Sequence, residues 1–383
     1  MDRRINVKAI INGKIILKNE ILENKIIVFN EKIIDITNEI PENCEVIDVK
    51  GKYVSPGLID IHIHGNMGKD TMEGTDEAID TIAKSIMRHG VTSFLPTTMT
   101  MDEESIYRAL DSIKRGMHRD VKGAQVIGAH LEGPFLNKIY KGAQNGSYIV
   151  NPSYEFIKKY DDVIKIITYA PEEDIDFKFT KDIKRNTDIV LSIGHSASTF
   201  TEAREAITQG ASNITHTFNG MTGLNHRDPG VVGAALTTDV YCEIISDTIH
   251  ITKDLFQFIL DSKGKERVVL ITDSMEAGGL EDGRYSLGGQ AVIVKDGAAR
   301  LESGSLAGSV LSLNKMLKNF YENTNLNINE AIHLASLNPA KSINIDKNKG
   351  SLEIGKDADI AIFDNNFDCY MTIVNGEIVF KQM

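Results

Sequence analysis

Six histidine and acidic residues lie near the ends of short apolar segments that are spread over most of the 383-residue chain. They are His62, His64, Glu132, His195, His216 and Asp273. Imidazole nitrogens and carboxylate oxygens of this kind bind zinc, iron(II), manganese and cobalt. A bound divalent ion lowers the pKa of water to about 7, which provides a nucleophile at neutral pH. The six residues therefore predict metal-activated hydrolysis, with either one ion or a bridged pair.

Two of the candidates, His62 and His64, are separated by a single residue in an apolar segment. In a β-strand the side chains at positions i and i+2 share one face, so both imidazoles would point the same way and could bind one metal ion. A pair of packed core histidines would have the same spacing. Gly65 directly after the pair favours a position at the end of the strand, where a site is open to substrate.

The other four candidates each follow a different apolar segment. Glu132 precedes Gly133, which ends its segment, although a glutamate there could also form a salt bridge. His195 and His216, taken singly, are more typical of hydrogen-bonded structural histidines. Asp273 ends the last apolar segment, where an unpaired charge is unfavourable. Because all share one position relative to a strand, we interpret them as a single metal centre, with Asp273 accepting and returning a proton.

Charge and cysteine content restrict the partners and the compartment. A net charge of -12 argues against nucleic acid or an anionic membrane as partner, and an anionic substrate would need a local basic site. Cys44, Cys242 and Cys369 are far apart, which favours buried thiols over disulfides or a zinc site. The N-terminal residues lack the apolar stretch of a signal peptide, and no apolar run is long enough to cross a bilayer. We expect a cytoplasmic protein with a small-molecule substrate.

The middle of the chain alternates between apolar strand-like segments and helical segments. The strand-like segments are 58–64, 92–98, 125–132, 163–169, 188–195, 213–218, 241–247 and 267–273. Residues 75–90 show the apolar spacing of a helix that stops at Gly90. Eight strands separated mostly by helices predict an α/β fold, a (β/α)8 TIM barrel. The Gly-rich segment 278–304 is expected to form a β-hairpin insertion or a mobile loop, and residues 328–345 a closing helix.

Both termini are rich in short β segments. Asn12-Gly13 and Asn375-Gly376 each lie between β-prone arms, which predicts two hairpin turns. We therefore predict that residues 1–54 and 346–383 form one small β-sandwich domain. Residues 55–345 would form the metal-dependent catalytic barrel.

Several local strings resemble the amidohydrolase superfamily and, within it, the N-acetylglucosamine-6-phosphate deacetylase family. They are PGLIDIHIHG, HLEGPF, KGAQN, GHSAS, THTFNGM, HRDPG, TDSMEAGG, GSLAGS and the tail GSLEIGKDADI, so the resemblance covers essentially the whole chain. It implies hydrolytic deacetylation of N-acetyl-D-glucosamine 6-phosphate to D-glucosamine 6-phosphate and acetate, in amino-sugar catabolism or cell-wall sugar recycling.

The resemblance also implies roles for the six candidates. Glu132, His195 and His216 would hold the principal metal ion, while His62 and His64, with Glu132 as a bridge, would hold a second. Zinc is the expected ion, and iron, manganese or cobalt would also fit. Asp273 matches the catalytic acid/base of the family and would also be a metal ligand.

Substrate contacts carry over from the family to eight positions: Ala143, Gln144, Asn219, Gly220, Arg227, His250, Leu306 and Ala307. Arg227 would bind the phosphate and reach the site of a neighbouring subunit, which implies a homodimer, although a loop salt bridge with Asp228 is the alternative. Gln144 stands where many relatives have histidine; an amide can donate to the acetyl carbonyl but cannot shuttle a proton. Gly220 stands where alanine is common.

Two other functions fit the same residues. One is another metal-dependent amide hydrolase of the superfamily, such as an N-acetylgalactosamine-6-phosphate deacetylase. The other is a non-catalytic barrel scaffold, which would be expected to have lost metal ligands, and none is missing here.

Overall fold

Eight parallel strands form a closed barrel in the middle of the chain. The computed structural model describes residues 7–119 and 121–382. The barrel strands are Leu58–Ile63, Val91–Pro96, Gln125–Val126 continued by Ala129–Glu132, Ile164–Tyr169, Val190–Ile193, Asn213–Ile214, Tyr241–Ile244 and Val268–Leu270. Parallel bridges from Thr97 to His130 and from Ile63 to Ser274 join the sheet segments into a ring. The predicted (β/α)8 barrel is confirmed.

Helices cover the outside of the barrel. They are Asp76–Ile86, Glu103–His118, Tyr154–Ile157, Lys178–Asn186, Phe200–Gln209, Gly230–Thr237, Phe256–Lys263, Leu313–Glu322, Ile328–His333 and Leu337–Ser342. Short 3-10 turns lie at Thr71–Glu73, Met87–His89, Gly146–Tyr148, Lys158–Tyr160, Pro171–Glu173, Ile175–Phe177 and Lys253–Leu255. The helix predicted within residues 75–90 is present: the Thr75 side chain caps its start, and Gly90 ends the 3-10 turn that follows it with a φ of 84°.

The two termini form two further sheets. One contains, in order, Ile33–Thr37, Ile26–Phe29, Lys8–Ile11 and Glu45–Asp48. The other contains Glu377–Lys381, Cys369–Val374, Ile360–Phe363, Tyr53–Pro56, Lys14–Ile16 and Ile21–Leu22. Buried residues of both sheets, among them Ile10, Phe29, Ile360 and Met371, share one apolar core. The fold class with a small β-sandwich is thus confirmed, while the division into residues 1–54 plus 346–383 and 55–345 stays a prediction.

The two Asn-Gly turns have different outcomes. Asn375-Gly376 connects paired antiparallel strands, with Val374 opposite Glu377, as predicted. Asn12-Gly13 was predicted to be a hairpin turn, and this prediction is wrong, because the strands on either side of it lie in different sheets. At Gly13 a Cβ atom would lie 2.5 Å from a methyl group of Val54, so glycine is needed where the chain crosses between the two sheets.

Two segments near the end of the barrel differ in detail from expectation. The Gly-rich insertion forms a three-stranded antiparallel sheet of Gly283–Leu287, Gln290–Lys295 and Ala298–Leu301. The single closing helix predicted at 328–345 is divided into two short helices. Ser336, between them, has φ -135° and ψ -74°, which interrupts the helical backbone. Among the described residues, no helix has the length and apolar character required to span a bilayer.

Candidate metal centre and active site

The six candidate residues lie at one end of the barrel, the end at which its parallel strands finish. Glu132 is the last residue of its strand, and His64 directly follows the first strand. His195 and His216 each come two residues after their strands, and Asp273 three residues after the last. Active sites of this fold are built at this end, from the loops that follow the strands.

Four imidazole nitrogens converge on one carboxylate. The distances from Nε2 to the nearer Glu132 oxygen are 3.5 Å for His62, 3.3 Å for His64, 3.2 Å for His195 and 3.0 Å for His216. All five side chains are buried. These side chains form two groups of three potential metal ligands that share Glu132. One group is His62, His64 and Glu132, and the other is Glu132, His195 and His216.

The opposite nitrogen of each ring, Nδ1, contacts an oxygen acceptor. The pairs are His62 with Glu243 Oε2 at 3.0 Å, His64 with Thr97 O at 3.2 Å, His195 with Tyr140 O at 2.8 Å, and His216 with Asn219 O at 3.1 Å. A backbone carbonyl can only accept, so the ring facing it carries a proton on Nδ1. In a neutral ring the Nε2 lone pair is then free to bind a cation.

The nitrogen positions fit a divalent cation better than they fit direct hydrogen bonds. The Nε2 atoms of His195 and His216 are 3.1 Å apart, and if both rings are neutral and held through Nδ1, two lone pairs face each other there. His62 Nε2 is buried and has no hydrogen-bond partner among the described residues. Buried polar atoms are rarely left without a partner. A cation bound between these groups would satisfy all of them.

Charge interactions within the site shift several pKa values. Burial alone would lower the pKa of His64 and His216, but the carboxylates of Glu132 and Asp273 raise the first well above its ordinary value and the second to about 9. Burial dominates at His62 and lowers its pKa to about 4. Burial would raise the pKa of both carboxylates, but the surrounding histidines hold both below their ordinary values. Both acids are therefore anionic at neutral pH.

Three of the six residues have an unusual backbone conformation. The φ angles are 49° at His195, 25° at His216 and 49° at Asp273. Residues other than glycine seldom adopt this left-handed region, and it costs of order 1–3 kcal/mol where the surrounding structure imposes it. Such strain is concentrated at functional sites, which supports a shared role for the three residues.

A cavity of about 410 Å³ opens above these side chains. Its lining includes six of the eight predicted substrate contacts: Ala143, Gln144, Asn219, Gly220, His250 and Leu306. His250 Nδ1 contacts Asp247 Oδ2 at 2.7 Å, so its Nε2 remains for a ligand. Arg300 is the only arginine or lysine among the described lining residues.

The two remaining predicted contacts lie outside the described lining of the cavity. Ala307 is fully buried, and its backbone nitrogen donates to Ala299 O at 3.0 Å. Arg227 is exposed and, within the described part of the chain, forms no ion pair with Asp228. The loop salt bridge is therefore not seen, and contact of Arg227 with substrate stays a prediction.

The two departures from the related sequences have local explanations. Gln144 Nε2 donates to Glu132 Oε2 at 2.5 Å, while its oxygen accepts from Thr100 N at 2.7 Å, so its amide is committed to orienting Glu132. Gly220 has a φ of 59°, and a Cβ atom there would lie 2.9 Å from His195 Nδ1. Glycine thus gives His195 more room than alanine would.

Sequence reasoning did not single out the buried acids behind the histidines. Glu243 contacts the ring of His62, and Asp60 accepts from Thr272 Oγ1 at 2.6 Å. Burial raises the pKa of both carboxyl groups to about 7. The available signal was a carboxylate inside an apolar strand, which requires a partner in the folded state.

Comparison with known proteins identifies the family. The model of the amidohydrolase family matches residues 53–379. The chain belongs to the amidohydrolase family. It is 37% identical over 378 residues to the N-acetylglucosamine-6-phosphate deacetylase of Bacillus subtilis (strain 168), covering 96% of this chain and 95% of that protein. It is 36% identical over 343 residues to the N-acetylgalactosamine-6-phosphate deacetylase of Escherichia coli O157:H7, covering 88% and 90%.

Solved structures give the same result for this amidohydrolase. The N-acetylglucosamine-6-phosphate deacetylase of Pasteurella multocida superposes with a TM-score of 0.93 at 31% identity, over 97% of this chain and 99% of that one. The enzyme of the same name from Thermotoga maritima gives a TM-score of 0.89 at 33% identity, over 98% and 100%. The resemblance inferred from the sequence motifs is confirmed.

Proposed function

We propose that this amidohydrolase removes the acetyl group of N-acetyl-D-glucosamine 6-phosphate by hydrolysis, releasing D-glucosamine 6-phosphate and acetate. The observation that carries the proposal is the convergence of four histidine Nε2 atoms on Glu132 beside the carboxylate of Asp273, at the floor of an open cavity. Relatives that align with nearly the whole chain are named N-acetylglucosamine-6-phosphate deacetylases, which supports the choice of reaction.

The proposal includes one or two divalent ions. Glu132, His195 and His216 would hold the principal ion, and His62 and His64, with Glu132 between the two groups, would hold the second. The nitrogen and oxygen donors suit zinc first, and iron, manganese or cobalt also fit. When bound, such an ion lowers the pKa of a water molecule and polarises the acetamide carbonyl.

Asp273 is the proposed acid/base. One of its oxygens lies 3.3 Å from His64 Nε2 and 3.6 Å from His62 Nε2, so it faces the metal centre, and it also lines the cavity. Its lowered pKa keeps it a carboxylate, which can accept a proton from the attacking water as the oxygen bonds to the carbonyl carbon. It would return that proton to the amide nitrogen as the C–N bond breaks.

Recognition of the phosphate requires a cation, because the chain carries a net charge of -12. Two arginines are candidates. Arg300 lines the cavity within the same chain, whereas Arg227 is exposed and would have to come from a second copy. We propose the homodimer with Arg227 reaching the neighbouring site, and Arg300 as the candidate that needs no partner.

The remaining parts of the proposal concern the sugar and the compartment. The sugar would contact the side chains of His250 and Asn219 and the backbone at Gly220. Leu306 would pack beside it. Ala143, which lines the cavity, belongs to the same proposed set, and Ala307 is proposed with it from the sequence resemblance alone. A reducing cytoplasm fits the free cysteines.

A second candidate function is deacetylation of N-acetyl-D-galactosamine 6-phosphate. The relative from Escherichia coli O157:H7 carries that name at 36% identity. The two substrates differ in the configuration of one hydroxyl group, so one or two hydrogen bonds in the cavity would decide between them.

The test is release of acetate and free amine from a panel of N-acetylhexosamine 6-phosphates and their unphosphorylated analogues, using protein of measured metal content. The expected result is fastest turnover of the glucosamine derivative, with loss of activity in chelator and recovery on adding zinc. Fastest turnover of the galactosamine derivative would support the second candidate. No amine release from any member of the panel by metal-loaded protein would contradict both and support a non-catalytic scaffold.

A further inference from the structure

One carboxylate beneath the metal centre contacts both groups of proposed ligands. Glu243 lies on the strand Tyr241–Ile244 and is 0% exposed. Its Oε2 atom is 3.0 Å from His62 Nδ1 and 3.2 Å from the backbone nitrogen of His216. These two histidines belong to different ligand groups, so a single oxygen atom links them.

We propose that Glu243 is a positioning residue that orients His62 and His216 together and thereby sets the metal affinity of both proposed sites. The inference rests on the proposed function, because it assumes that these histidines bind metal. Glu243 acts through the two histidines and is not among the described residues that line the cavity, so its role is distinct from that of Asp273.

Two contacts explain how the residue would act. By accepting from His62 Nδ1–H, the carboxylate selects the tautomer whose Nε2 lone pair points at Glu132; of the four histidines, His62 alone has a side chain rather than a backbone carbonyl in this position. By accepting from the His216 backbone N–H, it supports the left-handed conformation that turns the His216 ring into the site.

A nearby acid offers a matched control. Asp60 is also 0% exposed and lies in the same barrel interior. It accepts from Thr272 and from the backbone nitrogen of His62 at 3.3 Å, but within the described part of the chain it has no hydrogen bond to an imidazole ring. If burial of any acid in this layer were sufficient, Asp60→Asn and Glu243→Gln would have the same effect.

The experiment compares Glu243→Leu, Glu243→Gln and Asp60→Asn with the unmodified protein. Zinc stoichiometry and affinity are measured by competition with a chromogenic chelator, and the His62 tautomer is read from nitrogen-15 NMR of histidine-labelled protein. We expect Glu243→Leu to weaken zinc binding about 10–100-fold at both sites, since loss of outer hydrogen-bond partners has this effect. Glu243→Gln keeps a weaker, uncharged acceptor and should lose about fivefold. Asp60→Asn should stay within about twofold, and its His62 signals should be unchanged.

The outcomes separate this inference from the proposed function. If the unmodified protein binds no zinc, the proposed metal centre fails, and this inference with it. If the unmodified protein binds zinc but both Glu243 variants bind it equally well with unchanged His62 signals, only the role of Glu243 is overturned. If Glu243→Leu does not fold, the result for Glu243→Gln decides. A zinc affinity equal to that of Asp60→Asn overturns the inference. A greater loss of zinc affinity than in Asp60→Asn, together with a changed His62 tautomer, supports it.

Discussion

The two groups of proposed metal ligands are built in different ways. His62 and His64 come from one strand, where the two-residue period of extended backbone puts both rings on one face. Glu132, His195 and His216 come from three strands, and both of these histidines have left-handed backbones in the loops that follow. A single strand places the two rings of the first group on one face, and Glu132 from another strand completes their site, whereas all three members of the second group come together only when the barrel is closed.

The difference extends to what orients the rings. In the group from three strands, His195 and His216 are held by the loop carbonyls of Tyr140 and Asn219. Asn219 also lines the cavity, so one residue there both orients a proposed ligand and borders the substrate site. Strained backbone and residues shared in this way are features of a site where catalysis is centred. We therefore expect this group to matter more for activity than the pair on the first strand.

The largest effect is predicted for the three-strand group. His195→Ala or His216→Ala should remove the principal ion and lower kcat/KM by at least about 10³-fold, since metal activation is worth several kcal/mol. Metal analysis and the deacetylation assay check this. Replacement of the exposed His118 by alanine is the control and should leave both unchanged. If either variant keeps its metal content and an activity within tenfold of the unmodified protein, the three-strand group is not the more important one for activity.

The next largest effect concerns the acid that faces both groups. Asp273→Asn should lower kcat by about 10²–10⁴-fold, because asparagine keeps the size but cannot accept the proton. Metal content should be nearly normal, and added zinc should not restore turnover. If excess zinc does restore turnover, Asp273 acts mainly as a metal ligand together with His62 and His64, and it is not the residue that transfers the proton.

Replacing the pair on the first strand should have a smaller effect. The double variant His62→Ala, His64→Ala should lose about one ion per chain and keep measurable turnover, because the other group is complete without it. Metal stoichiometry and kcat are compared with those of His216→Ala in the same assays. Unchanged stoichiometry would remove the second site from the proposal, and complete loss of activity would make the two groups equivalent.

The smallest effects are predicted for the two arginines proposed to bind the phosphate, Arg300 in the cavity lining and the exposed Arg227. Arg227→Ala or Arg300→Ala should raise KM for the phosphorylated substrate about tenfold, since a charge-assisted hydrogen bond contributes about 1.5–3 kcal/mol, while the unphosphorylated analogue changes little. Arg284→Ala, on the same small sheet as Arg300 but outside the described lining of the cavity, is the control. Equal losses on both analogues would mean that the arginine supports its loop only.

A mixing experiment separates the two arginines. If Arg227 serves a neighbouring site, combining Arg227→Ala with the inactive Asp273→Asn should restore about a quarter of the normal activity, because half of the dimers are mixed and each has one complete site. No recovery on mixing, together with a phosphate-specific loss in Arg300→Ala, would place phosphate recognition within one chain.

Much of the architecture was predictable because it depends on local periodicity. Apolar runs alternating with helical segments predicted the barrel, and the spacing of His62 and His64 predicted that they share a face. The wrong prediction at Asn12-Gly13 has a tertiary cause: the turn chemistry is correct for a hairpin, but its two arms pair with different partners. The closing helix was predicted as continuous because its apolar spacing does not reveal the break at Ser336.

By itself, the sequence determined which elements form, which residue types stand at the ends of the barrel strands and to which family the chain belongs. Only the tertiary structure decided what those residues face. It placed Glu243 against His62 and His216 and turned the amide of Gln144 toward Glu132. It also placed Arg300 in the described cavity lining and Arg227 outside it. The physical reason is that strand and helix periods act over a few residues, whereas a hydrogen bond between residues 181 positions apart, such as that of Glu243 with His62, exists only once the barrel has closed.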